Sequence, residues 1–82
     1  MTMLFRELDT VVLQHDLPDA GLLAGDLGAV VHVYDAEALE VEFVTASGRT
    51  QALVTLREND VRSVRDDDLL AVRPTPPIEG AA

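Results

Sequence analysis

The chain has 82 residues, no cysteine, and fifteen acidic side chains against six arginines, which gives a formal charge of −9 at pH 7. This length fits one small domain, and the missing cysteine excludes disulfides, thiolate nucleophiles and cysteine-based zinc sites. The negative charge disfavours nucleic acid or an anionic membrane as the main partner and favours a basic protein. Because no apolar run is long enough to span a bilayer and the first residues lack signal-peptide features, we expect a soluble cytoplasmic protein.

The first predicted strand and its following loop occupy the region before residue 28. Thr10–His15 is rich in β-branched and apolar side chains, which favours a strand. Pro18 ends this strand because proline has no N–H for a ladder, and Gly21 can adopt the positive φ of a turn. The same loop holds Leu22 and Leu23, which we expect to fold back against the core.

The second predicted strand, Ala29–Tyr34, has the strongest strand pattern in the chain. Simple alternation places Val31 and Val33 on one face of this strand. It places on the other face Val30, His32 and Tyr34. Gly28 stands at the start of the strand and predicts a bulge or a close approach of backbone.

Three further strands are predicted after a polar connection. Glu40–Thr45 alternates in the manner of a half-buried antiparallel strand, with valine and phenylalanine inward and glutamate outward. A hairpin turn leads to Gln51–Leu56, whose inward positions are Ala52, Val54 and Leu56. Arg57–Asp60 predicts a single turn of 3₁₀ helix, and Val61–Val64 predicts a last short strand.

These elements predict an all-β fold, a small five-stranded SH3-like barrel with a 3₁₀ turn before the last strand. An OB-fold is the nearest alternative, but it normally has a helix between its third and fourth strands, where this sequence has only a short turn. The predicted organisation is an N-terminal lead-in (1–7), the barrel domain (8–65), a short helical turn or edge strand (66–73) and a flexible tail (74–82).

Several phrases of the sequence occur together in the same order as in one family of small proteins. They are Glu7-Leu8-Asp9-x-Val11-Val12-Leu13, Asp16-Leu17-Pro18-x-x-Gly21-Leu22, Gly25-Asp26-x-Gly28-x-Val30-Val31-His32-Val33-Tyr34, Val41-Glu42-Phe43-Val44 and Ala52-Leu53-Val54-Thr55-Leu56. On these motifs the chain resembles a bacterial SH3-like family known only as a domain of unknown function. The resemblance implies an SH3-like fold with no established catalysis or cofactor. It also implies a partner, because members often sit beside a gene for a second small protein, as in toxin–antitoxin or toxin–immunity pairs.

Two groups of residues could carry chemistry. His32 could act as a general base with Ser47 or Ser63 as nucleophile, but no spacing fixes a hydrogen bond between them, and so small a barrel has little room for a substrate pocket. Asp66–Asp68 offers carboxylates without the D-x-D-x-D-G spacing that makes them converge on a cation. No nucleotide-binding motif occurs. We therefore expect no enzyme activity, no metal and no cofactor.

The acidic side chains concentrate on loops and outward strand positions, where they would form a field that attracts a basic protein. The predicted partner-binding surface consists of Asp16, Asp19, Leu22, Leu23, Asp26, His32, Tyr34, Glu40 and Glu42. The apolar members of this surface, together with Val30, are the predicted anchors for the partner.

We therefore expect a non-enzymatic, acidic protein-interaction module, either antitoxin- or immunity-like or accessory to a neighbouring gene product. Two alternatives stay open: a nucleic-acid-associated SH3-like barrel, which the charge disfavours, and an assembly or accessory factor for an enzyme. Self-association is also open, because a small domain could bury Leu69, Leu70 and Val72 against a second copy.

Overall fold

The computed structural model describes residues 3–75, which contain one five-stranded antiparallel sheet. The strands are β1 (Thr10–Leu13), β2 (Leu27–Val33), β3 (Ala38–Val44), β4 (Thr50–Arg57) and β5 (Val61–Ser63). Their order in the sheet is β4-β3-β2-β1-β5, so the last strand pairs with the first. Short 3₁₀ turns lie at Pro18–Ala20 and, directly before β5, at Glu58–Asp60. The predicted fold class, all-β with five strands and a 3₁₀ turn before the last, is confirmed.

The core lies on one face of this sheet. Each strand contributes to it with the side chains of Val11, Leu13, Val30, Leu39, Val41, Phe43, Leu56 and Val61, and three residues outside the strands, Met3, Phe5 and Leu22, complete it. Residues 3–75 contain no second layer of helix or sheet, so the five strands must curl around these side chains to exclude water. Within the same range no polar or charged residue is buried.

The alternation predicted for the third strand is confirmed. Val41 is fully buried and Phe43 is 2% exposed, whereas the intervening Glu40 and Glu42 are only partly covered. Leu56 lies opposite Leu39, and both face the core. Period-two patterning therefore fixes the register of β3 against β4, because a one-residue slip would bury both glutamates.

The face assignment predicted for the second strand is wrong. Val30 is fully buried, although the predicted alternation put it outside with His32, and Val31 is 38% exposed. The cause is an irregularity in the β2–β3 register between Val30 and His32, since a bulge adds one residue and reverses the alternation beyond it. Val30 is thus a core residue and cannot anchor a partner, whereas His32 stays outside.

The close approach predicted at Gly28 is confirmed. A Cβ at this position would lie 2.5 Å from Val41 Cγ1 and 2.9 Å from Phe43 Cε1. Real Cβ atoms do not come so close, so only glycine lets the start of β2 cross over these two core side chains. The glycine is needed for space, on the inner side of the sheet.

The described segments outside the strands and 3₁₀ turns have irregular structure. Residues 3–7 form neither strand nor helix, yet Met3 and Phe5 are buried in the core. Residues 66–73, predicted as a helical turn or an edge strand, form no strand and begin with a single turn closed by the Asp68 N–H donating to the Arg65 carbonyl. The predicted tail lies mostly outside the described residues, beyond Thr75. Between residues 3 and 75 no helix has the length and apolarity needed to cross a membrane.

Candidate interaction surface

A strip of exposed and partly exposed side chains, some aromatic, some acidic and some apolar, runs across the outer face of β2, β3 and β4. We call this the outer strip, and it comprises His32, Tyr34, Glu40, Glu42, Leu53 and Thr55. Strand register builds it, because His32 lies opposite Glu40, Glu40 opposite Thr55, and Glu42 opposite Leu53. Side chains directly opposite one another on the same face of a sheet are in reach of contact. Four of the residues predicted for the partner surface thus form one continuous patch.

Contacts within the outer strip orient its aromatic ring. The Tyr34 hydroxyl donates a hydrogen bond to Glu40 Oε2 at 3.0 Å, and this bond raises the pKa of Tyr34 above its ordinary value. The His32 ring packs edge-on against the Tyr34 ring with centroids 4.6 Å apart. The hydrogen bond and the ring contact together orient Tyr34, which offers a half-exposed aromatic surface.

The carboxylates of the outer strip carry uncompensated negative charge. Glu40 accepts from Tyr34, and Glu42 accepts from the Thr50 hydroxyl. Within residues 3–75 neither carboxylate forms an ion pair with an arginine, and Arg57 pairs at 3.6 Å with Glu37 instead. A carboxylate that has only hydroxyl partners keeps its full charge for an incoming cation.

Other acidic side chains have a structural task. Six aspartates accept hydrogen bonds from backbone N–H groups in turns: Asp9, Asp16, Asp26, Asp35, Asp60 and Asp68. In five of the six the donor lies two or three residues away, within reach of the short aspartate side chain, and Asp16 alone bonds to a residue eight positions along. Much of the negative charge that the sequence places on loops therefore stabilises those loops.

The loop part of the predicted surface divides into accessible and occupied residues. Leu22 is 2% exposed and belongs to the core, so its predicted place on the partner surface is wrong. Leu23 is 44% exposed, and Asp19 lies exposed in the first 3₁₀ turn. Asp16 holds the loop by accepting from the Ala24 N–H at 2.8 Å. Only part of this loop is free to meet a partner.

The two halves of the predicted surface are far apart. Asp26 precedes β2, and His32 lies near the other end of the same strand. Six residues of extended chain at about 3.3 Å each separate their Cα atoms by roughly 20 Å. The loop acids and the outer strip are therefore two separate surfaces, and of the two only the outer strip combines aromatic, apolar and unpaired acidic groups.

Asp26 is occupied by a partner that the sequence pattern did not indicate. Arg73 Nε donates to Asp26 Oδ1 at 2.9 Å, a second Arg73 nitrogen donates to Oδ2, and Arg73 Nη2 also donates to the Gly21 carbonyl at 3.1 Å. Partial burial raises the pKa of Asp26, but the bonds from Arg73 and the Leu23 N–H outweigh it and leave the pKa below its usual value. This forked pair ties the C-terminal segment to the first loop.

That C-terminal segment, residues 64–75, forms a strap over the sheet. Its near end is held by Arg62, whose two guanidinium nitrogens each donate to Asp68 at 2.9 Å, and its far end by Arg73. Between the two ties the strap leaves Leu69 93% and Val72 98% exposed. Beneath it runs an open cleft of about 520 Å³, lined in part by Val12 and Leu27. The strap crosses the sheet without filling the space below it.

Loss of the Arg73–Asp26 ion pair, which holds the far end of the strap, should lower the stability of the fold measurably. We expect Arg73→Ala to reduce the free energy of unfolding by about 1–2 kcal/mol, because it leaves a half-buried Asp26 carboxylate without its charged donor. Urea unfolding measures this loss. Arg65→Ala is the matched control, since it removes the same charge from the same segment, and it should change stability by less than about 0.5 kcal/mol. Equal losses in both variants would contradict the role given to Arg73.

A second histidine contact was missed by the sequence analysis. His15 Nε2 lies 2.7 Å from Asp60 Oδ1, and this hydrogen bond raises the pKa of His15. Asp60 also accepts from the Arg57 N–H, so the contact joins the end of β1 to the 3₁₀ turn before β5. Residues 45 positions apart give no local pattern that could have predicted it.

The proposed catalytic arrangement of His32 finds no nucleophile in contact. Across residues 3–75 its ring approaches Tyr34 and, at 3.7 Å from Nδ1, Glu7 Oε1. The Ser47 hydroxyl is paired with the Thr45 hydroxyl at 2.9 Å instead. In the same described range no three histidine, aspartate or glutamate side chains lie close enough together to hold a metal ion.

The sheet and the surfaces on it define a small all-β domain. The chain belongs to the family described as Domain of unknown function (DUF4926), whose model matches residues 7–63. No curated protein and no solved structure matches the chain. The match includes all five strands and ends with the last residue of β5, so the strap lies beyond it.

Proposed function

We propose that this protein is a non-enzymatic protein-interaction module that binds a basic partner through the outer strip. One observation carries the proposal: Glu40 and Glu42 present charge that no arginine in the described chain neutralises, beside the exposed ring of Tyr34. Interfaces are enriched in tyrosine, and arranged charges select and steer an oppositely charged partner. A cationic protein fits this patch better than a nucleic acid does.

The architecture we infer for the module is an SH3-like barrel. Three features support it: β5 returns to pair with β1, a long connection joins β1 to β2, and a 3₁₀ turn precedes β5. A barrel of this kind presents the outer face of its middle strands as a firm platform, since their inner face is buried in the core. The outer strip lies on such a platform, which limits the entropy lost on binding.

The partner we propose is the product of a neighbouring gene in a bacterial cytoplasm, in the manner of an antitoxin or immunity protein. The motif resemblance supports this version, and so does the net charge of −9, which would speed encounter with a basic protein. Covering the basic surface of such a partner needs contact and charge and requires no catalytic group in this chain.

The test compares two variants of equal charge. We expect wild-type protein to co-elute with the neighbouring gene product in size-exclusion chromatography after co-expression. Glu40→Gln combined with Glu42→Gln should abolish co-elution or weaken the affinity about tenfold or more, because it removes two charges while keeping shape and hydrogen bonding.

The control carries Asp66→Asn and Asp67→Asn, two exposed acids in the turn after β5. It loses the same net charge, and it should bind as the wild type does. Two separate peaks from the wild-type mixture at micromolar concentration would contradict this partner. Equal weakening in both double variants would show that total charge, and not the outer strip, governs the association.

A further inference from the structure

The free edge of β4 offers backbone hydrogen-bonding groups whose direction follows from the neighbouring contacts. Within residues 3–75, β4 ends the sheet and pairs with β3 alone. The Arg57 N–H donates to Asp60 Oδ2 and the Ala38 N–H donates to Asp35 Oδ1, so this opposed pair does not exchange backbone bonds. Opposed pairs of an antiparallel ladder alternate between bonded and non-bonded. Arg57 is a non-bonded position, and so are Thr55 and Leu53, which lie two and four residues before it in β4. The N–H and C=O groups of Leu53 and Thr55 therefore point away from β3, toward the open edge.

These backbone groups are open for pairing. Across residues 3–75, none of the hydrogen bonds made by turns, loops or side chains involves the backbone N–H or C=O group of Leu53 or Thr55. Natural edge strands are usually protected by charges, prolines or bulges in their middle. Between Arg49 and Arg57, β4 has no charged residue and no proline. The edge is thus a ready template for one more strand.

We propose that the edge of β4 accepts an extended segment of the partner protein as a sixth, antiparallel strand, with basic residues opposite Leu53 and Thr55. This inference rests on the proposed function and names the mode of contact. Residues opposite Leu53 and Thr55 share their face of the sheet, which is the face of Glu40 and Glu42. A long basic side chain there can lie over the half-exposed Leu53 with its charged end at these carboxylates.

Charge selects this occupant over a second copy of the chain. Pairing two copies would bring together molecules of net charge −9 each. The exposed apolar part of the strap, Leu69–Val72, contains no cation to meet Glu40 or Glu42. An extended segment with arginine or lysine at alternate positions satisfies both the open backbone and the unpaired carboxylates.

The test uses a blocked peptide of sequence Thr-Val-Arg-Val-Arg-Val-Thr and titration calorimetry. Residues opposite Leu53 and Thr55 must exchange backbone bonds with them, and these are the two arginines. N-methylation of the two arginine nitrogens should therefore weaken binding about tenfold or more, although the charges are unchanged. A peptide with glutamate in place of arginine should show no binding.

Variants of the protein give the matching result. Leu53→Pro removes an outward N–H at an edge position where proline is tolerated, and Glu40→Gln with Glu42→Gln removes the carboxylates. Each should weaken the parent peptide about tenfold, with circular dichroism as the check on folding. The methylated peptide keeps the test decisive if Leu53→Pro does not fold.

Three outcomes would overturn strand addition. Equal binding of the methylated and parent peptides would show docking by charge without backbone pairing, and the proposed function would stand. No binding of the parent peptide would reject this mode of contact, while the co-elution experiment judges the proposed function separately. A wild-type dimer in sedimentation equilibrium that Leu53→Pro dissociates would assign the edge to a second copy.

Discussion

Replacement of Leu39 by alanine is expected to lower the free energy of unfolding by about 3 kcal/mol, the cost of emptying a buried leucine site. Leu39 is fully buried in β3, the strand between β2 and β4, and it lies opposite Val33 and Leu56. The strands on both sides hold the backbone in place, so the cavity cannot collapse easily. Since a small domain has little stability in reserve, the urea midpoint should fall by about 1 M or more.

The control for this effect is Leu69→Ala, which removes the same atoms from a side chain that is 93% exposed. It should change the free energy of unfolding by no more than about 0.5 kcal/mol. A loss below about 1 kcal/mol for Leu39→Ala, or similar losses at the two leucines, would contradict the position given to the core.

The second large effect is expected at Gly28. Gly28→Ala should cost about 1–3 kcal/mol, because its new methyl group would overlap Val41 Cγ1 and press on the Phe43 ring. The mechanism is steric, since adding a methyl group to a full core forces neighbouring side chains or backbone to move. Urea unfolding of the single variant measures the cost.

A double-mutant cycle separates the overlap with Val41 from any effect on the strand that alanine at position 28 has independently of Val41. Val41→Ala removes the atom that lies nearest to the added methyl group. In the Val41→Ala background the cost of Gly28→Ala should fall by at least half, which is a favourable coupling between the two changes. The same cost in both backgrounds would show that the Val41 contact does not explain the glycine.

Local pattern was enough to predict much of the sheet. β3 and β4 alternate cleanly, so the inward positions of Val41, Phe43 and Leu56 followed from the sequence and agree with their burial. The 3₁₀ turn before β5 and the close approach at Gly28 were also readable from local residue types. In these places one physical requirement acts on neighbouring residues, and a single sequence displays it.

The wrong predictions concern residues whose burial departs from the regular alternation of a strand. The bulge in β2 reverses the alternation after Val30 and has no residue signature of its own. Leu22 is predicted both to fold back against the core and to contribute to the partner surface, and its burial agrees with the first prediction and contradicts the second. Periodicity describes a regular strand, and it says little about the residues that leave one.

The candidate site could be predicted only in part. His32 and Tyr34 are exposed and Glu40 and Glu42 are partly covered, all on the outward strand faces that the sequence predicts. The ion pair between Asp26 and Arg73, which are 47 residues apart, could not be predicted, because long-range ion pairs depend on how loops pack. Composition also does not distinguish an aspartate that accepts hydrogen bonds within a turn from a glutamate that has no cationic partner. The outer strip is therefore recognisable only once the turn hydrogen bonds are known.

Amide chemical shifts of the isotope-labelled protein map the binding surface residue by residue. Spectra would be recorded with and without the neighbouring gene product. The largest changes are expected at Glu40, Glu42, Leu53 and Thr55, where the outer strip meets the free edge of β4. Changes confined to residues 16–26 or to the strap at 69–72, with the outer strip unaltered, would show that the partner does not bind through the outer strip.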